Sequence, residues 1–161
     1  MHQQQLIFNY HVFASIDELK EDDALLLHKA RAATDHAYAP YSKFHVGAAA
    51  HLQNEAIVTG SNQENASYPV GICAERVLLS SASSQYPGVG INTMAIACNN
   101  LNSISNKPAA PCGICRQTIH EYEERQQFPI RLLLSGMEGE VYLIDQSAAL
   151  LPLGFGSADL K

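Results

Sequence analysis

From Ser15 to His36 the apolar residues Leu19, Ala24, Leu26, Leu27, Ala30 and Ala33 recur among Lys, Glu and Asp at helical spacing, which predicts a first helix. Ser15 and Glu18 stand at capping-box spacing at its start. Ala39-Pro40-Tyr41-Ser42 breaks that pattern, and Phe44 to Leu52 reads as a strand that a turn at Gln53-Asn54 returns through Ala56 to Gly60. After a loop from Ser61 to Ile72, Val77, Leu78, Leu79 and Ala82 mark a helix from Cys73 to about Ser84, which stops before Pro87-Gly88. Thr93 to Cys98 is the third strand, and a second Cys-bearing helix runs from near Cys112 to about Glu124. Ile130 to Leu134 and Val141 to Ile144 are joined only by Ser135 to Glu140, too short for a parallel crossover, so they are expected to pair antiparallel. A last short helix is expected over Ser147 to Leu151. The order α-β-β-α-β-α-β-β predicts an α/β fold, a mixed five-stranded sheet covered by helices on both faces.

The first 14 residues show no period and read as an N-terminal arm, leaving residues 15–161 as one domain. At 161 residues and 47% hydrophobic content the chain can bury a core of its own. No apolar run approaches the roughly 18 residues that span a bilayer, and the start has neither a basic region nor a long apolar stretch of signal-peptide form, so a cytoplasmic location is expected. Charge narrows the partners further. Ten Lys plus Arg against 16 Asp plus Glu give a net of −6, which lacks the basic footprint that long nucleic acids or anionic membranes require.

Chemistry concentrates at two helix starts. Cys73-Ala74-Glu75 opens one, and Pro111-Cys112-Gly113-Ile114-Cys115 opens the next. A lone C-x-x-C fits a redox pair as well as a metal, but a redox pair needs no third Cys beside a Glu on another helix. Three thiolates from Cys73, Cys112 and Cys115 would hold Zn²⁺ and leave its fourth position to water, the form of a catalytic site rather than a closed structural one. Unpaired N–H groups and the dipole at a helix start favour thiolate over thiol. Three thiolates leave a net negative centre, and Arg76 is the cation placed to offset it. Glu75 is then the proton shuttle. Cys98 lies in an apolar strand at no ligand spacing and reads as core, and the seven His show no metal-ligand cluster.

His-x-Glu, or its variant with Cys in place of His, followed by P-C-x-x-C is the signature of zinc nucleobase deaminases. With Tyr41-Ser42-Lys43-Phe44-His45-Val46-Gly47-Ala48-Ala49, Gly60-Ser61-Asn62-Gln63-Glu64-Asn65-Ala66-Ser67-Tyr68, Cys73-Ala74-Glu75-Arg76, Pro111-Cys112-Gly113-Ile114-Cys115-Arg116-Gln117 and Leu150-Leu151-Pro152 in order, the chain from Tyr38 to Phe155 resembles cytidine deaminase, the small homo-oligomeric nucleoside form. That resemblance implies a homotetramer acting on cytidine and deoxycytidine in pyrimidine salvage. It implies that Asn62 and Glu64 bind the ribose 3′-hydroxyl, that Phe44 packs on the pyrimidine ring, and that the Ala74 N–H helps recognise the base. It also implies that Phe155 reaches a neighbour's active site, although Leu153-Gly154-Phe155-Gly156 differs slightly from the family's usual wording. Asn62 and Glu64 stand two apart at a strand end, where extended backbone points both the same way. The resemblance assigns His45 no role.

Two other readings stand beside this one. A blasticidin-S-type deaminase shares the zinc motif, and Glu64 with Phe44 favours the cytidine branch. A structural three-Cys zinc module would need neither Glu75 nor the Asn62–Glu64 pair.

Overall fold

The computed structural model describes residues 1–161. Six strands, β1 (His11–Phe13), β2 (Phe44–Leu52), β3 (Ile57–Ser61), β4 (Ile91–Asn100), β5 (Arg131–Ser135) and β6 (Val141–Ile144), form one sheet in the order β1-β6-β5-β4-β2-β3. Only β4 and β5 run parallel; β5 and β6 pair antiparallel, as their short connection requires. Three helices, α1 (Glu21–Ala33), α2 (Ala74–Gln85) and α3 (Gly113–Gln126), cover the sheet.

The central strands read as near-continuous apolar runs because both faces are covered. Met94 and Ile96 of β4 and Leu132 and Leu134 of β5 share one core with Leu78 and Leu79 of α2 and Ile119 of α3. The alternate residues Ala95, Ala97 and Leu133 pack on the other face with Leu26, Leu27 and Ala30 of α1. Period-2 alternation thus feeds two cores from the same strands.

The five-strand expectation is one strand short. His11–Phe13, inside the stretch read as a free arm, pairs antiparallel with β6 in the register His11↔Leu143, Val12↔Tyr142 and Phe13↔Val141. Three residues are too few to display a period, so this strand is set by its partner edge. The first helix is also shorter than its apolar stripe. Ser15 Oγ accepts the Asp17 N–H at 3.1 Å and Glu18 Oε2 accepts the Ala14 N–H at 2.8 Å, so the capping pair closes a single 3₁₀ turn over Ile16–Glu18. Helix α1 starts anew at Glu21, with Glu21, Asp22 and Asp23 complementing its N-terminal dipole. The Ser147–Leu150 segment is a 3₁₀ turn.

The topology decides where the chemistry falls. Strand β2 is antiparallel to both β3 and β4, so those two point the same way and their C-terminal ends share one edge of the molecule. Helix α2 follows β3 and α3 follows β4, so both helix starts lie at that edge, where ligand sites of open α/β sheets sit. Phe44, the first residue of β2, pairs with Asn100, the last of β4, and joins them there.

Candidate active site

Both Cys-bearing turns are N-caps. Cys73 (φ −74°, ψ 153°) precedes α2 and Cys112 (φ −67°, ψ 168°) precedes α3, each in extended backbone. Cys115 lies one turn into α3, fully buried. The Cys73 and Cys112 sulfurs are 3.9 Å apart and those of Cys112 and Cys115 3.5 Å, with all three within 4.8 Å of one another. Tetrahedral zinc at the usual bond length of about 2.3 Å spaces its sulfurs by about 3.8 Å, so the three thiols fit that ion. Hydrogen bonding from Cys115, aided by Cys112 and the charge of Arg76, lowers the Cys73 thiol to about 6, and Cys115, as the donor, is pushed up. Cys98 stands outside this cluster, buried, with its thiol 3.5 Å from the Lys107 carbonyl oxygen.

A cavity of about 310 Å³ opens in front of the thiols. Phe44, Asn62, Glu64, Cys73, Glu75 and Cys112 all line it. Glu75 is 5% exposed, and burial pushes its carboxyl above the ordinary range. A buried carboxyl facing a cavity beside metal-binding thiols is suited to carrying protons. Ala74, the first residue of α2, has no intrahelical acceptor for its N–H. Arg76 is half-buried on the same turn, and its charge favours both the Cys73 thiolate and the Glu75 carboxylate without a hydrogen bond to sulfur.

Beyond β3 the chain stays extended. Gln63 exchanges hydrogen bonds with Ile72 (2.9 and 3.0 Å), while Tyr38 N–H donates to the Asn62 carbonyl (3.0 Å) and Glu64 N–H to the Tyr38 carbonyl (2.7 Å). Asn62 and Glu64 therefore share the cavity side. The Asn62 amide also secures the start of β2, accepting from Val46 N–H at 2.8 Å and donating to the Phe44 carbonyl at 2.9 Å. Glu64 Oε2 accepts the Tyr41 N–H at 2.9 Å and the Ser42 N–H at 3.3 Å. Together with the Ser42 hydroxyl, these donors hold its carboxyl below the usual range.

Phe155 does not join this group. The residue is 58% exposed and lies outside the cavity lining. His45 is structural, with Nδ1 3.1 Å from the Thr34 carbonyl oxygen at the end of α1. Ser42, Val46, Ile96, Ala109 and Ala110, to which the sequence analysis assigns no site role, complete the lining. Val46 was legible in principle, being two residues from Phe44 and on the same strand face. Ile96 had no local signal. Arg116 is a further omission: Nε donates to the Pro111 carbonyl at 2.8 Å and Nη1 to the Leu150 carbonyl at 3.1 Å, fixing the loop that delivers Cys112.

Residues 20–128 match the family described as the cytidine and deoxycytidylate deaminase zinc-binding region. Cytidine deaminase of Halalkalibacterium halodurans is 34% identical over 140 residues, covering 87% of this chain and 98% of the relative. That of Sporosarcina psychrophila is 34% identical over 137 residues, covering 84% and 93%. Among solved structures, cytidine deaminase from Burkholderia pseudomallei superposes with a TM-score of 0.72 at 35% identity, over 85% of this chain and 100% of its own. The enzyme from Mycobacterium tuberculosis gives 0.65 at 30% identity, over 85% and 99%. With the thiol cluster, the buried Glu75 and the sheet edge that joins them, these likenesses establish that the chain belongs to the zinc-binding cytidine deaminase family.

Proposed function

We propose that this protein catalyses the zinc-dependent hydrolytic deamination of cytidine and deoxycytidine to uridine and deoxyuridine, with release of ammonia. The observation that carries the reading is a cluster of three metal-spaced thiols, two of which line one cavity together with a buried carboxyl. Cys73, Cys112 and Cys115 hold the zinc, which when bound supplies a Lewis acid that makes water acidic enough to act near neutral pH. Hydrolysis adds the water oxygen at C4 of the cytosine ring and breaks the C4–N bond. Glu75 accepts a proton from the water and passes it to N3, then takes the proton of the hydroxyl added at C4 and delivers it to the departing amine. Arg76 offsets the negative charge of the thiolates. Phe44 packs on the pyrimidine ring, the Ala74 N–H faces the base, and the free valences of Asn62 and Glu64 take the 3′-hydroxyl.

Residues 15–161 form the catalytic domain, with the first 14 as an arm that contributes β1. The enzyme works as a homotetramer in the cytoplasm, in pyrimidine salvage, and Phe155 of one subunit closes the cavity of a neighbour. The net charge of −6 favours a small nucleoside over a polynucleotide. No helix is long and apolar enough to cross a membrane. Near full-length likeness to cytidine deaminases favours the cytidine branch over a blasticidin-type one. A purely structural zinc module leaves the cavity and Glu75 without a purpose.

Ultraviolet absorbance of purified protein with cytidine, deoxycytidine, cytosine, adenosine and blasticidin S tests the reading. Turnover of the first two is expected. Turnover of blasticidin S alone, or of none, contradicts it.

A further inference from the structure

The chain beyond Leu151 folds back along α3. Gln117, His120 and Glu124 stand three and four residues apart on that helix, so they form one row along a single face. Gln117 Nε2 donates to the Phe155 carbonyl at 2.8 Å. Glu124 Oε2 accepts the Ser157 N–H at 2.9 Å, and its Oε1 is 3.7 Å from His120 Nε2. Gly156, between the two anchor points, is buried, and a β-carbon built there would fall on the Glu124 carboxylate. The Gly156 N–H donates to Asp159 Oδ2 at 2.9 Å, which closes the tail into a turn over Ser157–Leu160.

Both anchors from α3 grip main chain, at the Phe155 carbonyl and two residues beyond it, and leave the exposed Phe155 side chain free. We propose that Gln117 and Glu124 are positioning residues that hold the backbone of residues 155–157 so that the Phe155 ring is presented, already ordered, to the cavity of a neighbouring subunit. The proposal rests on the reading that Phe155 closes the site of a second copy. Ordering the ring in advance removes a cost otherwise met when substrate binds, so the effect falls on substrate affinity rather than on proton transfer. Helix α3 is also capped by Cys112 and carries Cys115, so one rigid element ties a subunit's own thiol cluster to the lid it lends.

Two measurements on Glu124→Ala and Glu124→Gln test this, the carboxamide oxygen of Gln still being able to accept the Ser157 N–H. In Glu124→Ala, amide hydrogen exchange across residues 155–160 is expected to quicken by about tenfold or more. KM for cytidine should rise about three- to tenfold, with kcat within about twofold and zinc per chain unchanged. Glu124→Gln should restore both readouts. Phe155→Ala should raise KM at least as far, and the double variant Glu124→Ala/Phe155→Ala no further, because Glu124 acts through the ring. Unchanged exchange, or additive effects on KM, overturns the clamp and leaves the role of Phe155 standing. Unaltered KM in Phe155→Ala overturns the underlying reading instead, and the proposal with it. Should Glu124→Ala fail to fold, Gln117→Ala carries the same comparison.

Discussion

Gly60 and Ala74 meet backbone to backbone: a β-carbon on Gly60 would sit 2.8 Å from the Ala74 carbonyl oxygen and 2.6 Å from the Leu78 nitrogen. Gly60, on β3, is thus the surface on which the first turn of α2 rests, and that turn carries Cys73 and Glu75. Gly60→Ala must push the helix start away. Stability is expected to fall by about 1–3 kcal/mol, the usual cost of overpacking. Cytidine kcat/KM should drop by about tenfold or more, since small misplacements of reacting groups are costly. Thermal unfolding and steady-state rates check this, and a variant unchanged in both would show that the contact yields freely.

The metal assignment makes a sharp contrast among the four cysteines. Cys73→Ser, Cys112→Ser and Cys115→Ser should each lose most of the zinc found by metal analysis, while Cys98→Ser, remote from the cluster, should keep one zinc per chain. Chelation should lower the melting temperature of the parent protein, because an ion bound only by the folded chain stabilises it. Full zinc retention in Cys112→Ser, or its total loss in Cys98→Ser, contradicts the ligand set.

Sugar recognition through Asn62 and Glu64 predicts discrimination at the 3′ position. A nucleoside without that hydroxyl leaves the pair short of a partner, which weakens transition-state binding. Cytosine and 3′-deoxycytidine should therefore be poor substrates. Equal kcat/KM for cytidine and 3′-deoxycytidine would remove both residues from the sugar site. Because the Asn62 amide also ties Phe44 and Val46, Asn62→Ala should lose stability as well as specificity.

Glu75→Gln separates binding from chemistry. The substitution keeps size and hydrogen bonding but cannot accept the proton, so zinc and cytidine should still bind while kcat falls by about 10²- to 10⁴-fold. Zinc analysis and equilibrium binding confirm that the variant is assembled before its rate is read. Turnover within about threefold of the parent enzyme would rule out the proton-shuttle role.

The assembly reading is checked by sedimentation. Closure of the site by a neighbour's Phe155, as proposed, predicts a tetramer whose activity at limiting cytidine falls on dilution to monomers. A fully active monomer would end that reading.

What the sequence determined by itself is whatever depends on near neighbours in the chain. The apolar runs of β2 and β4, the capping positions of Cys73 and Cys112, and the short link that forces β5 and β6 antiparallel are local properties, and each was legible. The C-x-x-C and Cys-x-Glu pairings could be read as one site because the residue types complement each other chemically, not because their distance could be known. Tertiary structure alone decided the rest. Strand β1 exists because the edge of β6 offers unpaired backbone groups, and nothing within three residues announces that. The capping pair Ser15 and Glu18 closed a turn rather than a helix, because a local motif fixes its own turn and leaves the next one to packing. Ile96 and Ala110 line the cavity because β4 and the loop before α3 converge there, and the backbone at Phe155 and Ser157 is gripped by residues 38 and 33 positions earlier in the chain. Such contacts are set by how elements stack, a relation to which the order of residues along one element carries no signal.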